Sequence, residues 1–368
     1  MKFYRGADIS TLDELEGKGV CFYSGGKKKD LFEIMEERGV NMIRLRIWND
    51  PYDENGNPYG GGTNDYAATE RLARRAKEHG MDILLDFHYS DFWADPGKQF
   101  KPKAWRDLSF EKLGDEVYNY TFDTVSRLSK EGLKPAMVQI GNEITNGFLW
   151  DSGKLDFQKP ETGEYSISGY ENTAALLQKG IKAVRDVDGN INIMLQLDFG
   201  GDNKLYRSWF DLAVKHNLDF NTIGLSYYPY WHRTLDDLCQ NMNDIAARYN
   251  KDLIVVETAY GFTLDTPSGG KLVLEESVFK DYRPFPITVE GQRDFLLELS
   301  KHIKEVPNNK GRGFVYWEPA WLSRSTWATK TGMKYIEHEG EEGSSWGNQA
   351  LFDFSGNALP SWDAFKEN

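Results

Sequence analysis

Glu143 and Glu257 each close a short apolar run, the first after "MVQIGN" and the second after "DLIVV". Val138 and Ile140 suit a buried strand, and such a strand ordinarily ends on a turn residue, not on a carboxylate. Two carboxyl groups facing each other across a cleft could break a glycosidic bond. One would protonate the leaving oxygen while the other attacks the sugar or activates water. That chemistry requires rigid elements that bring both tips to one mouth.

The elements follow from the apolar pattern. "YRGADIS", "NMIRLRIWN", "MDILLDFHY", "PAMVQIGNE", "NINIMLQLD", "NTIGLSYYP", "DLIVVETAY" and "RGFVYWEPA" each read as one buried strand. Between them lie stretches of helical spacing: "LFEIMEERG", "YAATERLARRAKEHG", "VYNYTFDTVSRLSKEG", "NTAALLQKGIKAVRDV", "LYRSWFDLAVKHN", "LDDLCQNMNDIAARYN", "GQRDFLLELSKHIKEV" and a terminal "SWDAFKEN". Strands alternating with helices in this way predict a (β/α)8 TIM barrel, one domain over residues 1–368. A doubly wound open sheet is the runner-up. The segments after the third, fourth, seventh and eighth strands are long and would raise walls on the C-terminal face.

Alternation along each strand assigns the interior. Ile43, Leu45 and Ile47 face the helix layer, so Arg44, Arg46 and Trp48 point inward. The same test sends Asp86 and His88 inward, and with them Gln139, Glu143, Gln196, Asp198, Ser226 and Tyr228. A satisfied polar network, for instance Arg44 paired with Asp86, would account for the deeper residues. It does not account for Arg46, His88, Asn142, Glu143, Tyr228, Glu257 and Trp317, which cluster at strand C-terminal ends where barrel enzymes place their chemistry.

Composition narrows the partner. A formal charge of -13 disfavours nucleic acid and anionic membranes. Aromatic residues make up 14% of the chain, with eleven Trp, several in polar stretches such as "DFWADPGK" and "SSWGNQ". Planar rings beside polar groups suit sugar faces. Cys21 and Cys239 lie far apart without metal-ligand spacing, and the six His form no metal motif. No apolar run is long enough to span a bilayer, and "MKFYRGADIS" does not read as a signal peptide.

Six segments, "RLRIWNDPYD", "DFHYSDFWADPGKQ", "QIGNEITNG", "IGLSYYPYW", "YWEPAW" and "WGNQALFDF", jointly resemble the endo-β-1,4-galactanases of glycoside hydrolase family 53, within the large clan of retaining (β/α)8 glycosidases. The resemblance spans residues 42 to 354. It implies Glu143 as general acid/base, Glu257 as nucleophile and Asn142 as a contact to the sugar beside the cleaved bond. Arg46 and Tyr228 resemble the residues that keep the nucleophile ionised, His88 lines the same floor, and Trp317 looks like the platform under the bound sugar. Trp93, Trp321 and Trp346 are candidates for stacking along the groove, and Asn49, Asp91 and Asn348 for hydrogen bonds to hydroxyls. The implied partner is a β-1,4-galactan, cleaved with no cofactor by a monomer, in an extracellular or cell-surface setting with any leader absent from this chain.

The loop after the seventh strand departs from the family. Bacterial members often bind calcium there, whereas "GFTLDTPSGGK" offers Asp265 alone, so no metal is expected. Rival readings are another retaining β-glycanase of cellulase or mannanase type and a non-catalytic glycan-binding barrel. The presence of both glutamates argues against the second.

Overall fold

The computed structural model describes residues 2–158, 163–265, 273–279, 282–322, 327–337 and 346–366. Eight parallel strands form a closed barrel. They are numbered β1 (Tyr4–Asp8), β2 (Met42–Ile47), β3 (Asp82–Phe87), β4 (Met137–Ile140), β5 (Asn192–Leu197), β6 (Thr222–Ser226), β7 (Asp252–Thr258) and β8 (Gly311–Trp317). β1 pairs with both β2 and β8, which closes the ring. All eight expected strands are present.

Seven helices cover the barrel: α1 (Leu31–Arg38), α2 (Tyr66–Glu78), α3 (Phe110–Lys130), α4 (Tyr170–Val187), α5 (Asn203–Lys215), α6 (Leu235–Tyr249) and α7 (Val289–Lys304). Side-chain caps fix the starts of all but α4, which begins after Gly169. Asp65 accepts from the Ala68 amide, and Thr234 and Asp237 form a reciprocal capping box, arrangements that typically stabilise a helix by about 1 kcal/mol. The terminal segment is a 3-10 helix, Pro360–Phe365, instead of an eighth α-helix. Short helices at Leu12–Gly17 and Lys330–Tyr335 were not anticipated, being too brief to show a periodicity.

Alternation holds where it was applied. Ile43, Leu45, Ile47, Ile83, Leu85 and Phe87 join the main core between barrel and helices. Met42, Leu84, Met137, Met194, Ile254, Val256 and Val315 form a separate apolar plug at the lower end of the barrel. At roughly 1.5–3 kcal/mol per large apolar side chain fully buried, that plug is a substantial source of stability.

β7 breaks the rule. Ile254 and Val256 belong to the interior plug whereas Leu253 and Val255 belong to the outer core, so strict alternation would turn Glu257 outward. The β6 pairing skips a residue, with Leu225 opposite Val255 and Ser226 opposite Glu257. This β-bulge re-aims Glu257 into the barrel.

Candidate active site

Arg44 organises the upper interior. Its Nη1 donates to Asp8 Oδ2 at 2.9 Å, and its Nη2 lies 2.9 Å from Asp86 Oδ2, 2.8 Å from Glu257 Oε1 and 2.8 Å from Asn142 Oδ1. The expected Arg44–Asp86 pair is therefore present, but Arg44 also contacts Glu257, the task assigned above to Arg46. Arg46 instead engages Glu318 at 2.7 Å and Asp8 at 3.3 Å. Alternation sends both arginines inward without ranking them, and Glu318, just beyond β8, captures the upper one. The Arg46 guanidinium sits 4.4 Å from the ring centre of Trp93 and 5.7 Å from that of Trp317, a cation–π pedestal under those indoles.

Glu257 receives further hydrogen bonds from Tyr228 Oη at 3.2 Å on Oε2 and from Gln196 Nε2 at 3.3 Å on Oε1. Burial raises its pKa, and the Arg44 guanidinium offsets only part of that rise. Among the described residues no cation pairs with Glu143. Burial, then the charges of Glu257 and Asp198, push its carboxyl well above the usual range. The two carboxyls are thus driven apart, with Glu143 the one that holds a proton and Glu257 the one that keeps its charge.

The backbone at Glu143 is left-handed, at φ 46° and ψ 52°, unusual for a residue with a side chain. Its amide donates to Gln196 Oε1 at 2.6 Å, and Gln196 Nε2 reaches Ser226 Oγ at 2.7 Å. One glutamine so couples the strand ends that carry the two glutamates. Two residues on, the Thr145 hydroxyl donates to Asp198, whose amide donates back to Thr145 Oγ1 at 3.2 Å.

Glu143 and Glu257 line one open cleft of about 390 Å³, together with His88, Asn142, Tyr228, Trp93, Trp317 and Trp346. His88 Nδ1 accepts from Trp48 Nε1 and from the Ala94 amide, which places its proton on Nε2, 3.1 Å from Asp86. Burial lowers its pKa, so the ring is neutral.

Four expected groove contacts are not brought to the cleft. Asp91 is fully buried and accepts the Asp50 and Lys103 amides, tying two loops together. Asn348, also fully buried, donates to the Thr263 and Leu274 carbonyls. Trp321 packs behind the lining, stacked on Trp93 at 6.1 Å. Asn49 is half-buried, and its amide donates to the Ser90 carbonyl. Each of these contacts ties the residue's segment to a neighbouring loop.

Other lining residues escaped the sequence reading. Asp95, Lys98, Phe199, Trp231, His232 and Trp327 also border the cleft, all beyond strand ends where alternation gives no direction. Asp198 borders it too, as its inward parity allowed. Among the described residues no group of three His, Cys, Asp or Glu could hold a metal ion. The loop from Asp265 continues into 266–272, outside the described residues.

Residues 4–365 match the profile described as Glycosyl hydrolase family 53. An uncharacterized protein of Niallia circulans is 44% identical over 99% of this chain and 93% of its own. The endo-beta-1,4-galactanase of Bacillus subtilis is 37% identical over 99% and 85%. The Ignisphaera aggregans GH53 catalytic domain superposes with a TM-score of 0.90 at 38% identity, covering 99% of this chain and 96% of that one. The chain belongs to glycosyl hydrolase family 53.

Proposed function

We propose that the protein is an endo-β-1,4-galactanase acting on galactan side chains of pectic polysaccharides, by double displacement with retention of configuration. The observation that carries this reading is the electrostatic division of two carboxyls in one cleft: Glu257 beside Arg44, and Glu143 buried and facing the charges of Glu257 and Asp198. Glu257 attacks the anomeric carbon as Glu143 protonates the departing oxygen, giving a glycosyl-enzyme. With its proton given to the departing oxygen and the charge on Glu257 consumed in the bond, Glu143 becomes the base that deprotonates the water attacking the glycosyl-enzyme, which frees the Glu257 carboxylate. Asn142, held by Arg44 and by the Ala94 carbonyl, presents its amide beside that bond. Trp317 supplies the platform for the attacked sugar.

Support for galactan comes from the named relatives, several of which are endo-beta-1,4-galactanases aligned over nearly this whole chain. We assign the activity to a monomer and place its action outside the cell, where polysaccharide substrates are encountered. No helix among the described residues is long and apolar enough to cross a membrane. The test is incubation with galactan, cellulose, mannan and xylan, with product sizing and proton NMR of the first anomer. Short galacto-oligosaccharides released as the β-anomer are expected. Activity confined to another glycan, galactose as the sole early product, or an initial α-anomer would overturn the corresponding part of the proposal.

A further inference from the structure

Along β5 the residues Met194, Gln196 and Asp198 turn inward at rising height. Met194 belongs to the apolar plug and Asp198 to the cleft, and Gln196 stands between them, fully buried. A carboxamide at such depth costs free energy unless both of its ends are matched. Here both are. Its Oε1 accepts from the Glu143 amide at 2.6 Å and from Gln139 Nε2 at 2.9 Å, while its Nε2 donates to Ser226 Oγ at 2.7 Å and to Glu257 Oε1 at 3.3 Å. Two lone pairs and two protons are all that a carboxamide has. Its orientation is therefore unique: turned over, the amide would set its NH2 against the Glu143 N–H and its oxygen against the Glu257 carboxylate.

The neighbouring strands make room for this side chain and brace it. Gly224 lies opposite Gln196 on β6, and a Cβ there would stand 3.0 Å from Gln196 Cβ and 3.1 Å from its Cγ. Gln139, on β4, is itself held by Arg44 Nε at 3.3 Å and donates to the Gly141 carbonyl at 3.0 Å. The carboxamide is thereby pinned from both sides. On β4 it secures the left-handed peptide at Glu143, a conformation that persists only where surrounding contacts impose it. On β6 it secures a hydroxyl. Ser226 Oγ accepts from Gln196, which leaves its own proton for the Glu143 carboxyl, a hydrogen bond that favours the ionised form.

We propose that Gln196 is a positioning residue shared by both half-reactions: through the Glu143 amide and the Ser226 hydroxyl it aims the acid/base, and through Oε1 of Glu257 it aims the nucleophile. One rigid group so ties both carboxyls to a common frame, and neither can shift without straining the bond to the other. Gln196 carries no charge, so the ionisation of Glu257 is left to Arg44 and the glutamine supplies direction. This rests on the roles that the galactanase reading gives to the two glutamates.

A dinitrophenyl β-galactobioside separates the two steps. Phenolate leaves without a proton when Glu257 attacks, giving a burst, and the later steady release reports hydrolysis with Glu143 as base. The amplitude of the burst counts folded sites, and the rate constants report aim. In Gln196→Met, which keeps the length and loses both hydrogen-bonding ends, the amplitude should match the wild type while attack slows about ten-fold and hydrolysis about ten- to hundred-fold. KM should change less than about three-fold, and azide, which needs no base, should raise the steady rate of this variant towards its burst rate. Ser226→Ala, which keeps Gln196, should slow hydrolysis more than attack. A diminished amplitude with wild-type rate constants would make Gln196 a structural residue only, and a loss confined to one step would show that it is not shared. Unchanged rate constants in Gln196→Met, or equal losses in both steps for Ser226→Ala, would likewise overturn the proposal. A wild type inert towards the galactobioside but active on the aryl glycoside of another sugar would instead overturn the galactanase reading, and the same variants compared on that glycoside would still decide the role of Gln196.

Discussion

The two ends of the barrel interior are made by the same strands and differ in chemistry. Below Arg44 lie Met42, Leu84, Met137, Met194, Ile254, Val256 and Val315, an unbroken apolar plug. Level with it and above lie Asp8, Asp86, Glu257 and Glu318, compensated by Arg44 and Arg46. The plug gains free energy from burial alone and tolerates any filling of similar volume. The upper tier pays desolvation for every charge and is held by pairing that recovers only part of it. The lower half of the barrel therefore stabilises, and the upper half spends stability on a nucleophile kept ionised beside an acid kept protonated.

Substitutions can break this contrast. The largest effect is expected for Glu257→Ala, which should reduce galactan cleavage by at least about 10⁴-fold while leaving the melting temperature nearly unchanged or higher, since it removes a nucleophile and an excess buried charge together. Arg44→Met comes next. It strands Asp8, Asp86 and Glu257, so unfolding should become easier by about 3–5 kcal/mol and kcat should fall about 10²–10³-fold. Arg46→Met disturbs Glu318 and the footing of Trp93 instead, and its kinetic loss should be smaller and carried mainly by KM. Were Arg46→Met the more damaging to kcat, the assignment of Arg44 as the partner of Glu257 would fail.

Leu84→Ala probes the lower tier. A loss of about 2–5 kcal/mol of stability is expected from the cavity, with kcat unchanged at temperatures where the variant is folded. A matching fall in kcat would mean that the two tiers are mechanically one. The smallest effect concerns pH. Burial lifts Glu318 and Asp198 each to about 7, above their unfolded values near 4. Between those values the folded protein holds protons that the unfolded chain has released, so stability should decline as pH rises from about 4 to 7 and level off above. Urea melts across that range check the slope, and Glu318→Gln should flatten it.

The barrel was legible because most strands are short, largely apolar runs bounded by polar punctuation, and each covering helix repeats its apolar face at helical spacing. The upper polar tier was legible from alternation through β2 to β6. That rule stops at β7, where the bulge between Val255 and Glu257 reverses direction, and only the position of Glu257 at the strand end, with the family resemblance, pointed to it. Height within the barrel was not legible. Arg44 and Arg46 share a face, and which one meets Glu257 depends on how far each reaches and on Glu318 arriving from the loop after β8. Loops were read least well. Asp91 and Asn348 resemble sugar-binding side chains in the sequence yet fasten one loop to another, while Phe199 and Trp231 border the cleft from segments without periodicity.

The division of labour between the glutamates is the central claim, and leaving-group chemistry tests it most directly. With a dinitrophenyl β-galactobioside, which departs without a proton, Glu143→Ala should release a burst of phenolate and then stall, and added azide should restore turnover and yield the β-azide. Glu257→Ala should show no burst, and any azide product should be the α-anomer. An exchange of these behaviours between the two variants would contradict the account.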